Sequence, residues 1–169
     1  MGSVYLYTGD GAGKTTAALG LAMRSLGWGH KVIIVQFMKG RKNIGEYRIA
    51  KKLGALYEIH QFGRRGWVNV YKPEKKDIEL AYKGLRFTRD ILAKRPPHLL
   101  ILDEINLAVG AKLLKEQDVL DVLKNIPAKT TVVLTGRWAT KALIKRADFV
   151  CEVRQIKRRG MSAVKGIAY

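Results

Sequence analysis

The run Thr8-Gly9-Asp10-Gly11-Ala12-Gly13-Lys14-Thr15-Thr16 holds residue types that phosphate chemistry requires. Glycines let successive backbone N–H groups turn inward and cradle phosphate oxygens. A helix that starts here adds free N–H donors and the positive end of its dipole. Lys14 brings a point charge to the phosphates, and the Thr15 hydroxyl is suited to ligate Mg²⁺. The pattern wants a Gly five residues before Gly13, and this chain has Thr8 there. The flanks support a phosphate-binding loop over a chance glycine-rich turn. An apolar run, Val4–Tyr7, precedes it and an apolar helical pattern, Ala17–Leu26, follows.

A second signal is Leu99-Leu100-Ile101-Leu102-Asp103-Glu104, a buried-type strand that ends in two carboxylates. Ligands of open α/β sheets bind at the carboxyl ends of strands. Asp103 and Glu104 are therefore expected at the same edge as the phosphate loop. One carboxylate would hold the magnesium shell, and the other would orient a water or substrate group. The plain alternative is a helix start with Asp as its N-cap. Beside a phosphate loop the metal reading is favoured. A third signal, Leu134-Thr135-Gly136-Arg137, closes a later strand. Arg137 there either reaches the phosphates or is a surface residue at a turn. The histidines, His30, His60 and His98, have no metal-ligand spacing and read as structural or solvated.

These residues need a scaffold, and the alternation of apolar runs with helical patterns supplies one. It predicts an α/β fold, a mainly parallel sheet of about six strands flanked by helices. Strands are expected at Ser3–Tyr7, Lys31–Phe37, Leu56–Gln61, Leu99–Asp103, Thr130–Leu134 and Phe149–Val153. Helices are expected at Thr15–Leu26, Glu46–Leu53, Glu74–Lys94, Glu116–Asn125 and Lys141–Arg146. Gly27 and Gly54 stand where C-caps belong, and Pro96–Pro97 halts the longest helix. The longest irregular stretch is Phe62–Pro73, a length usual for functional loops. Trp67 lies in it among Gly63, Arg64, Arg65 and Gly66, where an aromatic either covers a planar ligand or packs the loop. Trp28 and Trp138 are expected to pack at element ends.

The chain has 169 residues, enough for one domain with a sizeable core, and 1–169 is read as that domain. Cys151 is the only cysteine, so neither an internal disulfide nor a cysteine metal cluster can form. It is expected to be a small buried hydrophobe. No run reaches transmembrane length, no leader is evident, and Leu6 breaks the myristoylation pattern. A cytoplasmic location is expected by default. Net charge is +18, from 32 basic and 14 acidic residues. Such charge speeds capture of phosphate-rich ligands and would hold nucleic acid non-specifically. The basic residues are spread out, without the aromatic-basic alternation of an RNA-binding sheet, so most of them read as solvated surface.

With these motifs in view, the chain resembles the P-loop type of corrinoid adenosyltransferase along nearly its whole length. The resemblance is carried by Tyr7–Gly20, by Val35-Gln36-Phe37-Met38-Lys39-Gly40 and by Gly45-Glu46. Ile101-Leu102-Asp103-Glu104-Ile105-Asn106, Leu134-Thr135-Gly136-Arg137 and Lys165-Gly166-Ile167-Ala168-Tyr169 complete it. Thr8 is the residue that family has. The resemblance implies a RecA-like P-loop NTPase fold, a homodimer, Mg-ATP as co-substrate and a reduced corrinoid as substrate; an electron-donor protein is a further candidate partner. It implies attack of Co(I) on the 5′-carbon of ATP, with inorganic triphosphate leaving. Thr8–Thr16 would hold ATP, Lys14, Glu104 and Arg137 would act in the transfer, and Thr15, Asp103 and Glu104 would hold magnesium. Trp67 and Asn69 would contact the corrinoid.

The chain departs from the family at several positions. Ala12 stands where relatives often carry a Lys, and Asn69 where they place a second aromatic. Val164 and Ala168 replace residues that are often Gln and Glu. The chain also starts almost at the first strand, without the N-terminal extension some members fold over the corrinoid site.

Other functions fit the phosphate loop less well. A nucleoside kinase of the thymidine kinase type usually carries a zinc-binding cysteine cluster, which one Cys cannot supply. A RecA-like, nucleic-acid-stimulated ATPase would suit the charge, yet no DNA-contacting loop is visible. A nucleotide sensor without turnover is a further class. Released triphosphate marks the first reading, and ADP marks the kinase or ATPase.

Overall fold

Short β-branched and apolar runs form six strands in one sheet, and every pairing is parallel. The structure is a computed structural model that describes residues 2–66, 68–157, 159–160 and 162–167. The strands are β1 (Val4–Thr8), β2 (Val32–Phe37), β3 (Tyr57–Phe62), β4 (Leu99–Asp103), β5 (Thr131–Thr135) and β6 (Phe149–Glu152). The helices are α1 (Lys14–Gly27), α2 (Gly45–Leu53), α3 (Lys75–Lys94), α4 (Ile105–Gly110), α5 (Glu116–Lys124) and α6 (Lys141–Arg146). The strand order is β3-β2-β4-β5-β1-β6. Thus β5 lies between the strand that feeds the phosphate loop and the strand that ends in Asp103. None of the described helices is long and apolar enough to cross a membrane.

Side-chain alternation divides the core into two layers, one on each face of the sheet. Ile33, Val35 and Phe37 pack with Leu85, Ile91, Ala108, Val119, Leu123 and Leu143, under α3 to α6. Val32, Ile34, Ile101 and Val133 pack with Ala18 and Ala22 of α1. All residues of β2 and β4 are buried, as strands covered on both faces must be.

The expected strands and helices are all present, with ends moved by at most one residue. Four local expectations change. Helix α4 appears in the sequence only as the alternative reading, a helix start capped by Asp103; the helix is present, but its N-cap is Glu104, and six residues are too few to show a period. Gly27 is the last residue of α1 rather than its cap, and the left-handed residue of that turn is Gly29. Trp28 does not pack, being 82% exposed. Cys151 is half-buried on the edge strand rather than buried, because β6 is covered on one side only.

Candidate active site

The phosphate loop turns from β1 into α1 on Gly13, whose φ of 109° suits glycine alone. The loop is pinned to the neighbouring edge. Gly11 N–H donates to the Val153 carbonyl at 2.8 Å, and Val153 N–H donates to that of Thr8 at 2.8 Å. Lys14 Nζ lies across the loop and donates to the Gly9 and Gly11 carbonyls at 2.7 and 2.6 Å. Burial lowers the Lys14 pKa, with Arg137 adding and Glu104 opposing. Arg137 leans over the same loop, and its Nη2 donates to the Asp10 carbonyl at 3.3 Å. The Thr8 hydroxyl accepts from Ala139 N–H at 3.4 Å.

Asp103 is fully buried at the end of β4 and collects four donors. Its Oδ1 accepts from the hydroxyls of Thr15 at 2.8 Å and Thr135 at 2.7 Å. Its Oδ2 accepts from Gln36 Nε2 at 3.0 Å and from Lys39 Nζ at 2.7 Å. Burial works to raise its pKa, but the Lys39 charge and the bonds from Lys39, Thr135 and Thr15 hold it below the usual carboxylate value. Lys39 answers in kind: burial opposes its charge, and Asp103 keeps its pKa above the ordinary one.

Glu104 behaves differently. Its backbone is left-handed, φ 63°, and its N–H donates to the Thr135 hydroxyl at 3.0 Å. Its Oε2 is buried without a hydrogen-bond partner among the described residues. Burial first, and Asp103 second, raise its pKa. Asn106 ties this corner together, its amide donating to the Tyr7 and Gly136 carbonyls at 3.2 and 3.4 Å. Three of the non-glycine residues with positive φ, Met38, Glu104 and Trp138, lie just beyond the carboxyl ends of β2, β4 and β5. Backbone strain collects where side chains must be aimed at a common point.

This donor set suits magnesium. The Thr15 hydroxyl gives its proton to Asp103, which leaves its lone pairs for a cation. Glu104 Oε2 is an oxygen acceptor without a donor. Hard oxygen ligands are what magnesium takes, and substrate phosphates complete its shell. No group of three or more His, Cys, Asp and Glu capable of holding a metal occurs among the described residues.

The description "ATP:corrinoid adenosyltransferase BtuR/CobO/CobP" matches residues 1–169. The chain belongs to the ATP:corrinoid adenosyltransferase family. A corrinoid adenosyltransferase of Pseudomonas aeruginosa is 32% identical over 99% of this chain and 84% of its own length. One of Escherichia coli K12 is 32% identical over 99% of this chain and 86% of its own. Corrinoid adenosyltransferase CobA of Salmonella typhimurium is 31% identical with the same coverage. Among solved structures, a DNA replication initiation factor gives a TM-score of 0.44 at 12% identity, over 90% of this chain and 40% of that one.

In this adenosyltransferase chain the loop after β3 is clasped at its root. Arg64 Nε and Nη2 donate to Asp77 at 2.7 and 2.8 Å, and Nη1 and Nη2 donate to Glu74 at 3.0 and 2.9 Å. Glu74 and Asp77 also form the capping box of α3. Trp67, the expected corrinoid contact, lies outside the described residues. Asn69 Oδ1 accepts from Tyr71 and Lys72 N–H at 3.1 and 3.2 Å, an Asx-turn that leaves its amide nitrogen available. Two aromatics come together where neither was expected: Tyr71 and Trp138 meet at 5.7 Å between centroids, 86% and 40% exposed.

Lys39, Gln36 and Thr135 were not singled out from sequence as site residues. A register argument would have found Gln36, which is paired with Asp103 across β2 and β4.

Proposed function

We propose that this chain transfers the 5′-deoxyadenosyl group of ATP to the Co(I) centre of a corrinoid. A cobalt–carbon bond forms as the C5′–oxygen bond breaks. The bonding electrons leave with inorganic triphosphate, and cobalt is oxidised by two electrons. Family membership names the reaction; the observation that carries it onto these residues is the convergence of Lys14, Thr15, Asp103 and Glu104 at one sheet edge.

Each residue has a task in that reaction. The loop N–H groups from Thr8 to Thr16 and the Lys14 ammonium receive charge that builds on the triphosphate. Arg137, already over the loop, adds a mobile cation. Magnesium would be held by Thr15 and Glu104, with Asp103 acting through Thr15, and would neutralise phosphate charge. The Tyr71–Trp138 pair offers apolar surface toward a planar corrinoid, and Trp67 and Asn69 would complete that side. An apolar wall excludes water from cobalt, and so favours Co(I) over ligand-stabilised Co(II). We read 1–169 as a single domain, homodimeric, working in the cytoplasm with an electron-donor protein.

The test is product analysis with ATP and a chemically reduced corrinoid. Triphosphate in step with the adenosylated corrinoid is expected. ADP without adenosylation would transfer the chain to the kinases or ATPases.

A further inference from the structure

A second concave feature lies on the same sheet edge, away from the phosphate loop. It is a cavity of about 460 Å³ lined by Gly40, Arg41, Lys42, Asn43 and Arg65. Two loops build it, one after β2 and one after β3. Their backbones touch: a Cβ on Gly40 would fall 2.5 Å from the Gly63 carbonyl oxygen. Arg41 Nε donates to the Arg65 carbonyl at 3.3 Å, and the Arg41 carbonyl accepts from Gln61 at 3.0 Å. The wall is therefore fixed by backbone as well as side-chain bonds.

Its lining carries three cations and no acid. Neighbouring cations at this edge are committed elsewhere, Arg64 to Glu74 and Asp77 and Lys39 to Asp103. No carboxylate pairs with Lys42 or Arg65 among the described residues. Lys42 and Arg65, brought together in a concavity without a paired carboxylate, favour an anionic ligand.

The strand order argues against the triphosphate as that anion. In the order β3-β2-β4-β5-β1, the cavity loops leave strands three and four places from β1. At the usual strand spacing that is about 14–19 Å from the strand feeding the phosphate loop, farther than a triphosphate chain reaches. Arg65 does share its loop with Asn69, on the side assigned to the corrinoid.

We infer that this cavity binds the phosphodiester of a corrinoid's nucleotide arm, so that the enzyme favours corrinoids that carry the arm. The inference rests on the adenosyltransferase reading. The chemistry it needs is one negative charge, held by Lys42 and Arg65 and framed by Arg41.

The experiment compares kcat/KM for two chemically reduced substrates at saturating Mg-ATP: cobalamin, which has the phosphodiester, and cobinamide, which lacks it. The wild-type protein is set against Lys42→Gln, Arg65→Gln and their double variant. The cobalamin-to-cobinamide ratio is expected to fall about three- to tenfold for each cation removed, the size of an exposed charge-assisted contact. Arg65→Lys should keep most of the ratio, which a change in loop packing would not. An unchanged ratio in the double variant overturns the inference. So does an equal loss on both corrinoids with a raised KM for ATP, which would give the cavity to the triphosphate. If wild type adenosylates neither substrate, the adenosyltransferase reading itself fails; activity on both with no change in ratio defeats only the arm site.

Discussion

Two carboxylates at opposite ends of the sheet each collect several donors, and they do different things. Glu58, near the start of β3, is ion-paired with Lys31 at 2.6 Å and Arg95 at 2.7 Å, with His60 at 3.1 Å. Burial works against its charge, but these partners bring its pKa down to about 2. Asp103, at the end of β4, is also held ionised by its donors. The distinction lies in the neighbours. Around Glu58 the acceptor oxygens all have partners, and the cluster clamps β3 to the end of α3 and the start of β2. Beside Asp103 stands Glu104, half-buried, left-handed in backbone and with a buried Oε2 that has no partner among the described residues. A lowered carboxylate pKa therefore does not by itself mark a site. An unmatched buried acceptor next to a saturated one is the stronger pointer to a site, since proteins seldom leave such a group without use.

The sharpest break in that comparison comes from Lys14→Ala. Removing the loop cation should cut triphosphate release at least about a hundredfold, the scale for losing a donor aimed at developing charge. The fold should persist, since the hydrogen-bond partners of Lys14 Nζ among the described residues are two loop carbonyls. Near-normal release would end its role.

Asp103→Asn comes next, and it should damage fold and function together. It removes the charge that faces Lys39 and one acceptor among four converging donors. A loss of about 2–3 kcal/mol in a denaturant titration is expected, below the full cost of breaking a buried pair because Lys39 can turn toward solvent. The magnesium requirement should rise as well, because Thr15 loses the acceptor that orients it.

Glu104→Gln should separate the two properties. The raised pKa means that ionised Glu104 costs the folded state stability once pH exceeds its folded value. Gln lifts that cost, so stability near neutral pH should stay level or rise while turnover drops about tenfold and the magnesium titration shifts. A variant that loses stability and keeps its magnesium response would make Glu104 a structural residue.

The smallest effect belongs to Glu58→Gln. It should cost about 1 kcal/mol and leave adenosylation untouched, as half-exposed ion pairs contribute little. In the unsubstituted protein the Glu58 contribution is present in full above about pH 4.5, its unperturbed value, and is lost as pH falls toward about 2. An acid titration of stability in both proteins should differ in that window alone.

The fold was largely legible because strands buried on both faces are continuous apolar runs, and β4 reads as one down to its last residue before Asp103. The phosphate loop and the acid pair were legible because their chemistry sits in adjacent residues. Gln36 and Lys39 were not, because Gln36 reaches Asp103 only through sheet register and Lys39 only from the loop after β2. Helix α4 was legible only as a possible helix start after Asp103, because six residues show no period. Trp138 was read as packing, and its contact with Tyr71 depends on a long loop whose path no local pattern encodes.

The Arg64 clasp has a kinetic consequence. It joins the first residues of the loop after β3 to the first turn of α3, so the two ends of the loop are already together. The entropy of closing a loop is then spent in folding rather than at each encounter. A bulky, flat substrate meets a hoop of fixed circumference and has only its interior to order. Capture should accordingly depend more on how fast the substrate arrives than on how long the hoop takes to form.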